Sequence, residues 1–199
     1  MSSPITPRSL ADVAAEPWKN GGGLTQTLAA FGDEWRVSLA RIERDGAYSV
    51  FDGMNRLSAI LHGAGLDLRH AHGARRLAPW TPVAYDGSHP WQAVLRDGPC
   101  SALNVMARRG RWCAHLQPAR GRALLPPAAV AVLLAGAQPL AIRDIAGTHP
   151  AVTLQPGQFA CIAPVPAARY ETLAASPGTP GAWAEAPAFV ALVTPAPRD

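Results

Sequence analysis

The densest run of residues able to do chemistry lies early, as Glu16-Pro17-Trp18-Lys19-Asn20-Gly21-Gly22-Gly23. Three successive glycines admit positive φ and close backbone approach, and their amide N–H groups can cradle an oxyanion. Lys19 adds a mobile positive charge, and Asn20 supplies both a donor and an acceptor. Trp18 can wall such a site from water. The combination suits a carboxylate or an amide. It is not a nucleotide-binding P-loop, because the lysine precedes the glycines and no Gly-Lys-Ser/Thr follows to open a helix. The alternative is a plain turn before a strand over 24–30. Lys19 is the only lysine beside 17 arginines, and asparagine occurs only at 20, 55 and 104. In a chain this rich in Ala, Arg, Pro and Gly, such rare residues mark positions where chemistry is retained.

The surrounding elements read as strands. Residues 35–42 alternate apolar and polar side chains, as a half-buried strand does. Asp45-Gly46 makes a turn, and 48–51 resumes the strand pattern. The run 57–68, apolar then Gly63-Ala64-Gly65 then alternating, has the same form as 130–142, which turns at Gly136. Each is followed by a Leu-x-Pro step, Leu77-Ala78-Pro79 and Leu154-Gln155-Pro156, lying 14 and 18 residues after the glycine. Strand, glycine turn, strand, loop, Leu-x-Pro, strand is the order of a cupin barrel. Antiparallel sandwiches share parts of it, so a nonrepeating β-sandwich is the alternative. Both readings are all-β and mostly antiparallel. The segment 176–188 reads as a loop before a final strand at 189–193.

Composition narrows the partners. With 199 residues, 48% hydrophobic and 16% charged, the chain can bury a sizeable core. Its net charge of +4 comes from scattered arginines. The densest basic groups, Arg75-Arg76 and Arg108-Arg109-Gly110-Arg111, are short and lack an aromatic ladder, which argues against nucleic acid. A mild basic excess favours a small anionic metabolite. The apolar stretch 123–137 contains Pro126-Pro127 and is too short to span a bilayer, so no membrane partner is expected. Cys100, Cys113 and Cys161 are odd in number without framework spacing, and residues 1–10 lack a signal-peptide core. These features lead us to expect a reduced, cytoplasmic protein.

With those motifs in hand, the chain resembles the HutD/Ves family of bacterial bicupins. The resemblance rests on Pro17 to Gly23, the strand Trp35-Arg36-x-Ser38-x-Ala40, and Asp45-Gly46-x-Tyr48-Ser49-x-Phe51-x-Gly53. Arg56, Leu61-x-Gly63-x-Gly65, Tyr85-Asp86-Gly87 and Leu103 to Gly110 extend it. It is dense over 16–110 and thins beyond. It implies a double cupin, with an N-terminal barrel over 1–110 and a degenerate C-terminal barrel over 111–199 fused into one compact unit. It also implies a role associated with histidine utilisation, with N-formylglutamate as the ligand. The family carries an acidic residue just before its Leu/Phe-Asn-x-Met stretch; this chain has Ala102 there, so no role for that carboxylate carries over.

Most cupins hold a metal with two histidines, a glutamate and a later histidine. Measured back from Gly63, those first positions fall near Ser49, Phe51 and on Arg56, none able to replace imidazole or carboxylate. The second copy has Arg122, Leu124 and Ala129 in that stretch. No metal or other cofactor is therefore expected. His70 and His72 alternate on one face of a strand but lie past the glycine turn; His62, His89, His115 and His149 read as isolated. An inward Arg56 needs a partner, and a carboxylate is its best match. The predicted ligand site is Trp18, Lys19, Asn20, Gly21, Gly22, Gly23, Ser38, Arg56 and Asn104, shaped for a small dicarboxylate or acylamino acid. The leading reading is a regulatory, ligand-binding protein without catalytic residues. The alternative is a metal-independent isomerase or hydrolase of a small carboxylate using Lys19 as base or imine-former. Against it, no Ser-His-Asp set or carboxylate pair is legible. A third reading is an assembly protein using the second barrel.

Overall fold

The computed structural model describes residues 5–174 and 186–197. The reading of 176–188 as a loop thus falls almost entirely outside the described residues. Among these, all regular structure is strand except one short 3-10 turn, Leu10–Asp12, and every sheet ladder is antiparallel. In chain order the strands are β1 (Arg8–Ser9), β2 (Ala15–Pro17), β3 (Gly23–Phe31), β4 (Trp35–Ile42), β5 (Gly46–Ala47), β6 (Met54–His62), β7 (Leu66–His70), β8 (Gly73–Leu77), β9 (Val83–Asp86), β10 (Gln92–Leu95) and β11 (Cys100–Arg108). They continue as β12 (Trp112–Pro118), β13 (Gly121–Leu124), β14 (Val130–Leu134), β15 (Leu140–Asp144), β16 (Val152–Leu154), β17 (Gln158–Ile162), β18 (Tyr170–Ala174) and β19 (Phe189–Pro195).

The chain divides into two compact units, one of Val13–Leu116 with the chain from Ala196 on, and one of Gln117–Pro195 that includes the segment up to Asp12. Within the first, six strands run β2-β3-β4-β11-β6-β9 and four run β5-β10-β7-β8. Its core draws on both sheets: Ile42, Ile60 and Ala102 from one meet Leu66, Leu68, Leu77 and Ala93 from the other, with Tyr48, Tyr85 and Trp91 among them. Each fully buried Leu or Ile contributes about 1.5–3 kcal/mol by leaving water. The alternation read from the sequence holds on β4, where Val37 is buried on one face and Arg36, Ser38, Ala40 and Ile42 share the other. The turn before β7 needs its glycine: Gly65 has φ +89°, and a Cβ there would stand 2.2 Å from the Leu77 carbonyl oxygen.

The second unit pairs its strands by the same rule. The order β5-β10-β7-β8 is matched by β13-β18-β15-β16, and β14 lies between β17 and β19 as β6 lies between β9 and β11. Both Leu-x-Pro steps end the hairpin's return strand, Leu77 opposite Leu66 and Leu154 opposite Leu140.

Three local expectations need correction. Residues 48–51 do not resume a strand. Only Gly46–Ala47 is paired, and the chain then bends so that the Tyr48 amide donates to the Trp91 carbonyl and the Phe51 amide to the Gly87 carbonyl. His72 is not on a strand with His70, because β7 ends at His70 and the chain turns at once into β8. His89 and His149 are not isolated: the His89 ring stacks on His70 at 4.6 Å, edge-on to Trp91, and His149 Nδ1 lies 2.9 Å from the Asp144 carboxylate.

Candidate functional site

The inward face of the six-stranded sheet carries two polar rows. In the first, Met106 of β11 lies opposite Arg36 of β4 on one side and Arg56 of β6 on the other, and Tyr85 of β9 pairs with Arg56. In the second, Asn104 lies between Ser38 and Ser58. Strand spacing thus sets the two arginine backbones about 10 Å apart with side chains on one face. Above these rows lies a cavity of about 370 Å³, lined by Trp18, Lys19, Arg36, Ser38, Tyr48, Phe51, Arg56 and Asn104 among others.

Its cations outnumber its acids, Lys19, Arg36 and Arg56 standing against Glu16 on the same wall. Arg56 is only 7% exposed, and its Nε is buried without a hydrogen-bond partner. Its Nη1 reaches the Ser49 carbonyl at 3.4 Å. The Arg36 Nε is likewise buried and unpartnered. Neither guanidinium has a carboxylate within ion-pairing distance among the described residues. Burial, then the neighbouring Arg56 charge, pulls the Arg36 pKa down, and Glu16 opposes the fall. Aromatic faces do part of the solvation: Arg56 lies over Tyr48, Phe51 and Tyr85, and Arg36 over the same Phe51 ring. A buried and a half-buried cation, facing one carboxylate on the same wall that makes no ion pair with either, form a site that gains from an anion.

Beneath the cations the floor is neutral and ordered. Ser58 donates to Asn104 Oδ1 at 2.5 Å, so the Tyr85 hydroxyl donates to Ser58 across 2.8 Å. With Oδ1 occupied, the Asn104 amide keeps its N–H pair, engaged only by a long 3.4 Å contact to the Ala102 carbonyl. The Ser38 hydroxyl has no hydrogen bond to a described group and faces the cavity. These donors suit a carbonyl or carboxylate oxygen. Burial foremost, then Tyr85, raises the Tyr48 pKa well above the usual phenol value despite the opposing Arg56, and Cys100 adds to the rise. Tyr48 therefore stays protonated at neutral pH, as a donor.

Of the residues singled out from sequence, Trp18, Lys19, Ser38, Arg56 and Asn104 come together at this cavity. Lys19 is exposed at its rim, while Trp18 packs edge-on against Tyr48 at 5.5 Å with its Nε1–H on Thr25. Asn20, Gly21, Gly22 and Gly23 stand outside the lining. The Gly21 amide donates to the Trp18 carbonyl and the Gly22 amide to Asn20 Oδ1, so the loop spends these donors on itself. Asn20 Nδ2 ties the loop to the Ala47 carbonyl at 2.9 Å. Gly23 is required for close approach, since a Cβ there would meet the Arg41 carbonyl oxygen at 2.2 Å. The motif thus holds Trp18 and Lys19 at the rim without itself cradling an anion.

Sequence reasoning missed Arg36, Tyr48 and Phe51. The signal for Arg36 was present: it shares the strand phase of Ser38. Tyr48 and Phe51 were hidden because their segment was read as strand. The positions aligned with cupin metal ligands, Ser49, Phe51 and Arg56, all line the cavity. Among the described residues no group of three or more His, Cys, Asp or Glu is disposed to hold a metal ion.

Paired antiparallel sheets around an inward polar cavity define a cupin-class protein. A cupin barrel domain protein from Leptotrichia buccalis, 10% identical, superposes over 94% of both chains with a TM-score of 0.53. Within that class the chain belongs to the HutD family, whose profile matches residues 10–176. HutD from Pseudomonas fluorescens SBW25, solved in a formate condition, superposes over 97% of this chain and 100% of its own with a TM-score of 0.75 at 23% identity. An uncharacterized 21.2 kDa protein in the hutC 3′ region of Pseudomonas putida is 33% identical over 62% of this chain and 68% of its own. Protein Ves of Citrobacter koseri is 32% identical over 51% of this chain, and the match spans 57% of that relative's length. No helix among the described residues is long and apolar enough to cross a membrane.

Proposed function

We propose that the protein binds a small dicarboxylate or N-acylamino acid in the Arg36–Arg56 cavity, as a regulatory component associated with histidine utilisation. The observation that carries this reading is the pair of guanidiniums at one cavity, both with buried, unpartnered Nε atoms and neither ion-paired to Glu16, the carboxylate on the same wall. One ligand carboxylate spans the two cations, the Ser38 and Asn104 donors take a second oxygen group, and Lys19 meets the remaining charge at the rim. Family membership and the hutC-region location of a relative support the metabolic context. Within that context N-formylglutamate is the candidate ligand, carrying two carboxylates and one acyl oxygen.

The test is isothermal titration of wild type, Arg36→Gln and Arg56→Gln with N-formylglutamate, glutarate, urocanate and glutamate. Removing one partner of a buried charge pair costs about 2–5 kcal/mol, on the order of thirty-fold to several thousand-fold in affinity. The reading expects such losses for both variants. Undiminished binding in either contradicts it, and turnover of the bound acid moves the protein to the enzymes.

A further inference from the structure

A second hollow of about 290 Å³ adjoins the first and shares three wall residues with it, Arg36, Phe51 and Met106. Its own wall includes the apolar side chains of Trp35, Val50 and Met54. Of the three shared residues, only Phe51 comes from the bent segment between β5 and β6; the others are fixed on central strands. Its backbone is held at both ends of the peptide unit, the amide donating to the Gly87 carbonyl at 2.8 Å and the carbonyl accepting from the Met54 amide at 3.2 Å. Both cavity guanidiniums lie 5.3 Å from the centroid of its ring. The ring therefore stands at a set place, between the cations that would seat a carboxylate and a second hollow whose wall mixes Trp35, Val50 and Met54 with charged side chains.

We propose that Phe51 determines ligand length: its ring is a partition that confines the bound acid to the first hollow and excludes acids with a bulky apolar tail. This rests on the anion-binding reading above. Truncating the ring joins the hollows, and the walls supplied by Trp35 and Met54 then accept an aryl or alkyl group. Asp33 and Asp52 on that wall are matched by Arg36 and Arg108, so the discrimination falls on the apolar group and not on charge. Selectivity between acids that share a head group isolates the partition, because a general loss of cation–π support would weaken both acids alike.

The experiment titrates N-acetylglutamate and N-benzoylglutamate into wild type, Phe51→Ala and Phe51→Leu, with a thermal melt to confirm that each is folded. Wild type binds the acetyl compound at least about tenfold more tightly than the benzoyl compound, as expected for a site closed to a bulky group. Phe51→Ala shifts that ratio by about tenfold or more toward the benzoyl compound, and Phe51→Leu falls between. A wild type that binds both acids equally, or a folded variant whose ratio does not move, overturns the partition while leaving the anion site standing. Failure of wild type to bind either acid overturns both.

Discussion

Replacing Arg56 with methionine asks whether its buried charge is kept at the expense of stability. Arg56 is 7% exposed, and its guanidinium has an unpartnered Nε and makes a single hydrogen bond of 3.4 Å, with the Arg36 charge acting on the same space. Exchanging a buried charge for an apolar side chain of similar length is neutral to stabilising by about 1–4 kcal/mol. Against this stand three rings with centroids 5.0–5.3 Å from the guanidinium carbon. Such contacts contribute about 0.5–2 kcal/mol each, of which a methionine sulfur recovers about 0.3–1.5 kcal/mol. The two sides nearly cancel, leaving the ligand-free variant within about 1 kcal/mol of wild type, or about 3 °C in melting midpoint for a chain of this size. For wild type, N-formylglutamate at about 100 times its Kd adds about 2.7 kcal/mol, or about 5–10 °C. In Arg56→Met that rise disappears. Scanning calorimetry with and without the acid measures both quantities. A ligand-free variant that melts more than about 3 °C below wild type, or one that keeps the ligand-induced rise, refutes the reasoning.

Gly23→Ala destabilises by about 1–3 kcal/mol in urea unfolding, because its Cβ meets a backbone oxygen, whereas Gly22→Ala, which meets only the Asn20 side chain at 3.2 Å, is tolerated. In the second unit the hydroxyl of Thr148, then His149, and also Arg169 and the Ala146 amide hold the buried Asp144 carboxyl below the usual carboxylate range against the effect of its burial. A depressed carboxyl stabilises the fold fully above about pH 4 and loses that contribution as pH falls through the depressed value, so thermal melts of wild type and Asp144→Asn converge toward pH 2 and separate at pH 7. Burial pushes the Cys100 thiol up to about 11, and burial likewise raises Cys161; iodoacetamide at pH 8 therefore labels Cys113 in the native protein and Cys100 only after denaturation, as read by peptide mass spectrometry.

Much of the fold could be read because burial imposes short periods on a strand. The phase of β4 followed from alternation, and the two hairpins were visible as repeated glycine turns and Leu-x-Pro steps. Ser38 was assigned to the site, and Arg36, two residues earlier on the same face of β4, should have been placed beside it. What resisted reading was set by contacts distant along the chain. The Tyr48–Phe51 bend depends on carbonyls of Gly87 and Trp91, and the His70–His89 stack joins residues 19 positions apart. The triple glycine misled for a different reason. A sequence displays donors without showing which the turn itself consumes, and here Trp18 and Asn20 take them.

A crystal structure with N-formylglutamate bound puts the central claim to its most direct test. The account predicts one carboxylate lying between the Arg36 and Arg56 guanidiniums, with both Nε–H groups engaged and the acyl oxygen near Ser38 and Asn104. An acid seated elsewhere, with those two nitrogens still unpartnered, contradicts it.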